Sequence, residues 1–394
     1  MKKLILLFLS LGVLPAYGTQ IIRGPYLENP TQTSITLRWQ TNTAVPTWLE
    51  YGPTPRCNQI MTVTPAAYNH KVVLYGLVPN QDFCYHLYVG NPAQTGTELP
   101  VDGTFRTLFS PERKIVTFLA LGNTGALPGE EESAQSREHI AKLMAQEQAD
   151  FVLHTGNLTH SGLNSDADAE LFSPFQALFQ NTPLFVALGP NEYGPDRASA
   201  DSKSFLHNNY TRYHDMTWST ATPKYYSFDT ANARFIVLDS NITNGTKWAP
   251  EINEESAQTK WLKTTLSSAA DKWKIVIMNT PAYSTGAAGS NQDIIDAWVK
   301  IFETYGVNLV LQGGDADYER SFPLRNAETH KRGVTYVTIG TAAPAPGKRV
   351  TSASHTARFV SARHYAVGKI VDRKLTLTVY SDTGKQLDKF EMYL

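Results

Sequence analysis

The sequence predicts a two-part chain, an all-β sandwich followed by an α/β domain, and three observations predict it. Residues 20–110 hold short alternating apolar runs between turn residues, with no helical period. From residue 113 onward, apolar strands alternate with amphipathic helices. Five of those strands run into polar loops: FLALGNTG (118–125), FVLHTGNLTHSG (151–162), LFVALGPNEYG (184–194), KIVIMNTPAYSTG (274–286) and NLVLQGGDADYERS (308–321). A chain of 394 residues is long enough for two cores.

The first residues, MKKLILLFLSLGVLPAYG, read as a signal peptide over 1–18. Lys2 and Lys3 give the positive start, Leu4–Leu14 the apolar core, and Ala16-Tyr17-Gly18 a small-x-small cleavage site. That run is too short to span a bilayer, and no later run is long enough, so membrane insertion is not expected. The expected location is secreted or periplasmic. The 35 Lys and Arg balance 36 Asp and Glu, which argues against nucleic acid, since no basic excess exists to displace counterions. Cys57 and Cys84 are the two cysteines. In an exported chain they pair, or they stay as separate thiols in the sandwich core; both readings stand at this point.

In the first domain, residues 19–110, Ser34–Gln40 places Ile35, Leu37 and Trp39 on one face. Thr47–Tyr51 follows, with a turn at Gly52-Pro53, then strands at His70–Leu77, Phe83–Val89 and Gly103–Leu108. In the second domain, residues 113–394, Lys114–Leu121 is a strand buried on both faces. Ser133–Gln148 is a helix whose Ile140, Leu143 and Met144 share a face, and Phe151–His154 completes a βαβ unit. Leu184–Leu188, Arg234–Asp239, Trp273–Met278 and Leu309–Gln312 continue the sheet, with helices near Glu255–Leu266 and Asn291–Tyr305. Tyr365–Val371 and Leu375–Tyr380 alternate in period two and close it. All five loops lie past the C-terminal ends of strands, where open α/β sheets gather functional groups, so they build one pocket.

The order and flanks of these loops resemble the metallophosphoesterase superfamily, and within it purple acid phosphatases. RGPYLENPTQTSITLRWQT, LEYG and YGLVPNQDFCYHLYVG resemble the fibronectin type III-like domain that precedes the catalytic domain there. The resemblance implies an α/β class with a four-layer α/β/β/α sandwich. It also implies a dinuclear iron, zinc or manganese centre. Such a centre needs hard anionic oxygens, one carboxylate bridging both ions, and neutral imidazoles.

Laid on the family motifs, the chain replaces every expected ligand. The Asp of GDxG is Asn123. The Asp and Tyr of GDxxY are Asn157 and His160. The Asn of GNH is Pro190, and Asn191 stands at its substrate-facing His. The His of VxxH is Asn279, and the two His of GHxH are Gly314 and Ala316. The flanks persist in Glu192-Tyr193-Gly194, Pro281-x-Tyr283-Ser284 and Tyr318-Glu319-Arg320. The expectation is a secreted pseudoenzyme without catalytic residues, metal ligands or cofactor, which binds a protein or a small anion. The alternative is residual phosphomonoester hydrolysis at a reduced site, with one metal held by His160 and Asp315. His154 is expected in the core. Tyr210, Tyr213, Trp218, Tyr225 and Tyr226 are expected to pack the pocket rim, and Asp201-Ser202 and Asn241–Gly245 to be solvated loops. Asn209, Asn241 and Asn244 head glycosylation-type triplets.

Overall fold

The computed structural model describes residues 19–90, 100–127, 129–194 and 224–394. Residues 1–18, expected to be a signal peptide, and Asp201-Ser202, Asn209, Tyr210, Tyr213 and Trp218 lie outside them.

The first five strands, β1 (Ile21–Glu28), β2 (Ser34–Pro53), β3 (Ile60–Tyr75), β4 (Asp82–Val89) and β5 (Val101–Arg106), pair antiparallel in the order β1-β2-β4-β5, with β3 also on β2. The runs expected as separate strands at 34–40 and 47–51 form one strand, and Gly52-Pro53 ends it instead of turning the chain. Register shifts between Gln40, Val45 and Thr47 bend β2. Its first half pairs with β1 and its second with β4. The bend lets the sheet close over its own apolar face, where Leu37, Trp39, Leu49, Tyr85 and Phe105 share one core. Cys57 and Cys84 are joined by a disulfide, which decides between the two readings.

The second domain begins with β6 (Ile115–Leu121), α1 (Glu131–Gln146) and β7 (Phe151–His154). Two short helices, α2 (Asn164–Ala167) and α3 (Gln176–Phe179), lead to β8 (Leu184–Val186). Then come β9 (Tyr226–Thr230), β10 (Ala233–Val237), α4 (Ala257–Ser267) and β11 (Trp273–Met278). The helix expected at Asn291–Tyr305 is α5 (Gln292–Ile294) and α6 (Lys300–Tyr305), joined by a π turn. β12 (Leu309–Gln312), β13 (Tyr318–Ser321), the small hairpin β14 (Leu324–Arg325) and β15 (Glu328–Thr329), and β16 (Thr335–Ile339) follow. The chain ends with β17 (Thr356–Val360), β18 (His364–Val371), β19 (Lys374–Ser381) and β20 (Gln386–Tyr393).

These strands form two main sheets, not the single continued sheet read from the run order. One has the order β20-β19-β18-β6-β7-β8 and the other β17-β13-β16-β12-β11-β10-β9. Side-chain alternation explains the layering. Phe235, Ile275, Ile277, Leu309 and Leu311 face the first sheet in a shared core, while Ile236, Val276, Met278 and Val310 face helix residues Leu262, Trp298 and Phe302. Phenylalanines lock the two sheets: the Phe118 and Phe151 rings meet Phe235 edge-on at 5.5 and 5.0 Å, and Phe185 stacks on Phe228 at 3.8 Å. On the outer side of the first sheet, α1 buries Ile140, Ala141 and Met144. The architecture is therefore the expected α/β/β/α. Acidic Glu131 and Glu132 suit the N-terminus of α1, and Ser256 caps α4 by accepting from Thr259 N. Among the described residues, no helix is long and apolar enough to cross a membrane.

The two domains share a seam. Arg23 forms a two-pronged ion pair with Asp168, at 2.5 and 2.7 Å, and lies over the Phe172 ring. Tyr26 packs on the same ring at 4.6 Å, and Tyr85 OH donates to the Gln180 carbonyl at 2.9 Å.

Candidate functional site

Strands β6, β7 and β8 are parallel, as are β10, β11, β12 and β16. The loops after β6, β7, β8, β11 and β12 consequently meet at one edge, joined by the loop after β16. Asn123 N donates to the Gly156 carbonyl at 3.1 Å, and Thr124 N to the Asn157 carbonyl at 3.2 Å. A Cβ built on Gly156 would lie 2.7 Å from Asn279 Nδ2, and one on Gly189 2.4 Å from Asn157 Oδ1. These contacts place Asn123, Asn157, Asn191 and Asn279 near one another, with Pro190 next to Gly189 and Gly314 against Asn279 O.

The side-chain amides of this pocket bond to backbone groups. Asn123 Nδ2 donates to Gly340 O at 2.7 Å, tying the loop after β6 to the loop after β16. Asn279 Nδ2 donates to Thr155 O at 2.7 Å, which ties one sheet to the other. Asn157 Oδ1 accepts from Asn191 N at 3.2 Å, and Asn191 Nδ2 donates to Thr159 O at 3.0 Å. Asn123 and Asn157 both sit in the left-handed region, at φ 48° and 58°. Asparagine tolerates that conformation better than most residues, so the tight turns survive with an amide in place.

His160 is engaged by acidic partners. Its Nδ1 lies 2.7 Å from Glu170 Oε1 and 3.7 Å from Asp166 Oδ2, and its backbone N–H donates to Glu170 Oε2. The oxygens of Asp315 accept from Ser284 Oγ at 2.5 Å and Ala288 N at 2.7 Å. His160 and Asp315, the pair expected to hold one metal in a reduced site, are engaged with two separate sets of partners. His154 is fully buried, with Nδ1 accepting from Gly156 N at 3.0 Å and Nε2 beside Thr124 Oγ at 3.1 Å. It is a core histidine, as expected.

The residues present do not fit a two-cation centre. Pro190, Gly314 and Ala316 have no side-chain donor atom. Gly314 sits at φ 82°, and a Cβ there would meet Pro281 Cδ at 2.9 Å and Asn279 O at 3.0 Å, so an imidazole there would strain the backbone and press on Pro281. Asn123 and Asn279 present N–H donors to carbonyls. No bridging carboxylate stands at the position of Asn157.

Two features went unread in the sequence. Glu192, fully enclosed, accepts from Asn157 N at 2.9 Å, Leu158 N at 2.7 Å and Gly189 N at 2.7 Å. Burial pushes its carboxyl up to about 7, against the pull of those N–H groups. Its signal was present: Glu192 is the third residue of a turn opened by Pro190, where acids gather exposed N–H groups. The second is the hydrogen-bonded group Tyr193–Asp239–Asn241. Tyr193 OH donates to Asp239 Oδ2 at 2.5 Å, and Asn241 Nδ2 donates to Leu188 O at 2.9 Å. Asn241 is therefore buried and not part of a solvated loop, because its amide closes the loop after β8; Asn244 is exposed. Of the described rim aromatics, Tyr225 packs on Trp261 at 5.0 Å, and Tyr226 is buried with its OH donating to Val186 O.

Residues 116–318 match the calcineurin-like phosphoesterase family. Over 121 residues the chain is 32% identical to purple acid phosphatase 21 of Arabidopsis thaliana, covering 29% of this chain and 26% of that protein. The matched stretch thus spans about a quarter of that relative's length. Among solved structures, the fold is similar to purple acid phosphatase PPD1 from yellow lupin seeds, with a TM-score of 0.74 at 17% identity over 94% of this chain and 74% of that one. It is similar to PhoD with a TM-score of 0.69 at 15% identity over 92% and 91%.

Proposed function

The chain belongs to the calcineurin-like phosphoesterase family, in its purple acid phosphatase-like form, and from that premise we propose that it is an exported pseudoenzyme that binds rather than hydrolyses. The observation that carries this reading is the use of the pocket amides. Asn123 and Asn279 spend their N–H groups on Gly340 O and Thr155 O, so neutral side chains hold together loops that a dinuclear site would hold through metal. A neutral, self-bonded pocket stands without a cation, whereas facing carboxylates would repel one another there. Function is argued from the site and not from the fold.

The leader-like start and the Cys57–Cys84 disulfide support an oxidising, exported location. The ligand class is a protein surface or a small anion met by loop N–H groups. The test is turnover of a phosphomonoester by pure protein supplied in turn with iron, zinc and manganese. No turnover above buffer is expected. Metal-dependent turnover that survives repurification would overturn the proposal.

A further inference from the structure

Asp315, Asp317 and Glu319 alternate along the loop after β12 into β13, and are 2%, 0% and 3% exposed. Two of them are well provided for. Glu319 Oε1 accepts from Thr285 Oγ1 at 2.9 Å and Thr356 Oγ1 at 2.6 Å, and its Oε2 from Thr285 N at 2.6 Å. Asp315 accepts from Ser284 Oγ and Ala288 N. Asp317 differs: both its oxygens are buried without a hydrogen-bond partner. The charged groups acting on it are Asp315 and Glu319, of its own sign, and together with burial they push its carboxyl up to about 8. A buried charge is paired, bound to a metal or neutralised. A proton would neutralise Asp317 yet leave a new O–H donor and an acceptor unsatisfied. A cation answers both oxygens and the surrounding negative charge.

Gly286 marks where the carboxylates converge. A Cβ built there would lie 2.2 Å from Asp317 Oδ2 and 2.9 Å from Asp315 Oδ2. Two oxygens reached from one point at those distances are at most about 5 Å apart, the span that one Ca²⁺ bridges with bonds of about 2.3–2.6 Å. This place borders the amide pocket but uses other side chains. The missing Cβ of Gly314 would point at Asn279 O and Pro281, whereas Asp315 turns to Ser284 and Ala288.

We propose that Asp315 and Asp317 hold one oxygen-seeking divalent cation of the Ca²⁺ class, with Ser284 Oγ beside it and Glu319 fixing the Ser284–Thr285 segment. Carboxylates without thiolate or imidazole select hard cations over iron or zinc. Among the described residues, no three His, Cys, Asp or Glu side chains converge as metal ligands, so neutral oxygens complete the shell of two carboxylates. The site does not depend on the non-hydrolytic reading, and its readout is not activity.

The test is thermal unfolding of the full chain, stripped by chelator and then given about 1 mM CaCl₂ or MgCl₂, for the unchanged protein and for Asp317→Asn. The unchanged protein should gain about 3 °C or more in Tm with at least one of the two ions. Asp317→Asn should gain nothing, and in chelator should melt above the unchanged protein, since a like-charge contact is gone. No gain in the unchanged protein, or an equal gain in both, overturns the proposal. If Asp317→Asn does not fold, Asp315→Asn takes its place. Calorimetric titration of the unchanged protein with CaCl₂ and with MgCl₂ is decisive in either case: one site supports the proposal, and no heat above dilution with either ion overturns it.

Discussion

At Asn157 the backbone holds φ 58° while the side-chain oxygen accepts from Asn191 N, and the residue's own N–H donates to Glu192. A carboxylate placed there would face the ionised Glu192 without a cation between them. Asn157→Asp should cost about 1–3 kcal/mol at pH 8 and less at pH 5, and should restore no turnover. Urea unfolding at the two pH values checks the sign; a variant more stable at pH 8 than the parent would contradict it. Two other buried groups act in opposite directions. His364, held at about 4 by burial, accepts from Gly340 N through Nε2 and has Nδ1 on Ala362 O. Its folded pKa lies below the ordinary imidazole value of 6.5, so its contribution is present above pH 6.5 and is lost as pH falls through 4, up to about 3 kcal/mol. Glu192, raised from 4.5 to about 7, contributes below pH 4.5 and loses that contribution as pH rises through 7. Between those limits the two oppose each other. Replacing His364 with Gln should leave stability rising as pH falls from 7 to 5, and Glu192→Gln should steepen the acid loss. Denaturant midpoints across that range decide, and parallel curves for both variants would refute the assignment.

Among the elements, the strands were the most legible. Each apolar run from Lys114 to Gln312 becomes a strand, because burial on both faces leaves no other pattern for it. The split into two sheets was not legible from the runs alone. The stacking of one sheet on the other goes with Phe118, Phe151, Phe228 and Phe235 meeting across the layers, a long-range contact that periodicity does not encode. In β2 the alternation of Ser34–Gln40 and Thr47–Tyr51 was correct, and the bulge joining them carried no turn signal to separate from a true turn. The disulfide closes a 27-residue separation between Cys57 and Cys84. Changing both to Ser should lower the stability of the first domain by about 3–4 kcal/mol. Urea unfolding followed by a sandwich-specific signal measures this, and an unchanged midpoint would contradict it.

Over the whole molecule, the motif positions gave the pocket but not its wiring. Strand-end placement brought Asn123, Asn157, Pro190, Asn191, Asn279 and Gly314 together. The pairing of His160 Nδ1 with Glu170 depends on the helical segment at Asp168–Phe172, which sequence spacing did not reveal. That same segment supplies Asp168 to Arg23, so the seam between domains and the flank of the pocket share one element. Arg23 is buried while the Asp168 side chain is 43% exposed, so solvent screens the pair. Arg23→Ala should cost about 1–3 kcal/mol, mainly through lost packing on Phe172, and should speed amide exchange in β1 and at 168–172. Unchanged exchange at both places would show that the seam does not depend on this contact. On the proposed reading, the amide pocket holds no catalytic metal pair. Metal content by mass spectrometry, on protein purified without chelators, tests it most directly, with calcium and magnesium read separately from iron, zinc and manganese. The expected result is below about a tenth of an equivalent of iron, zinc and manganese combined; one to two equivalents bound in the pocket would contradict the account.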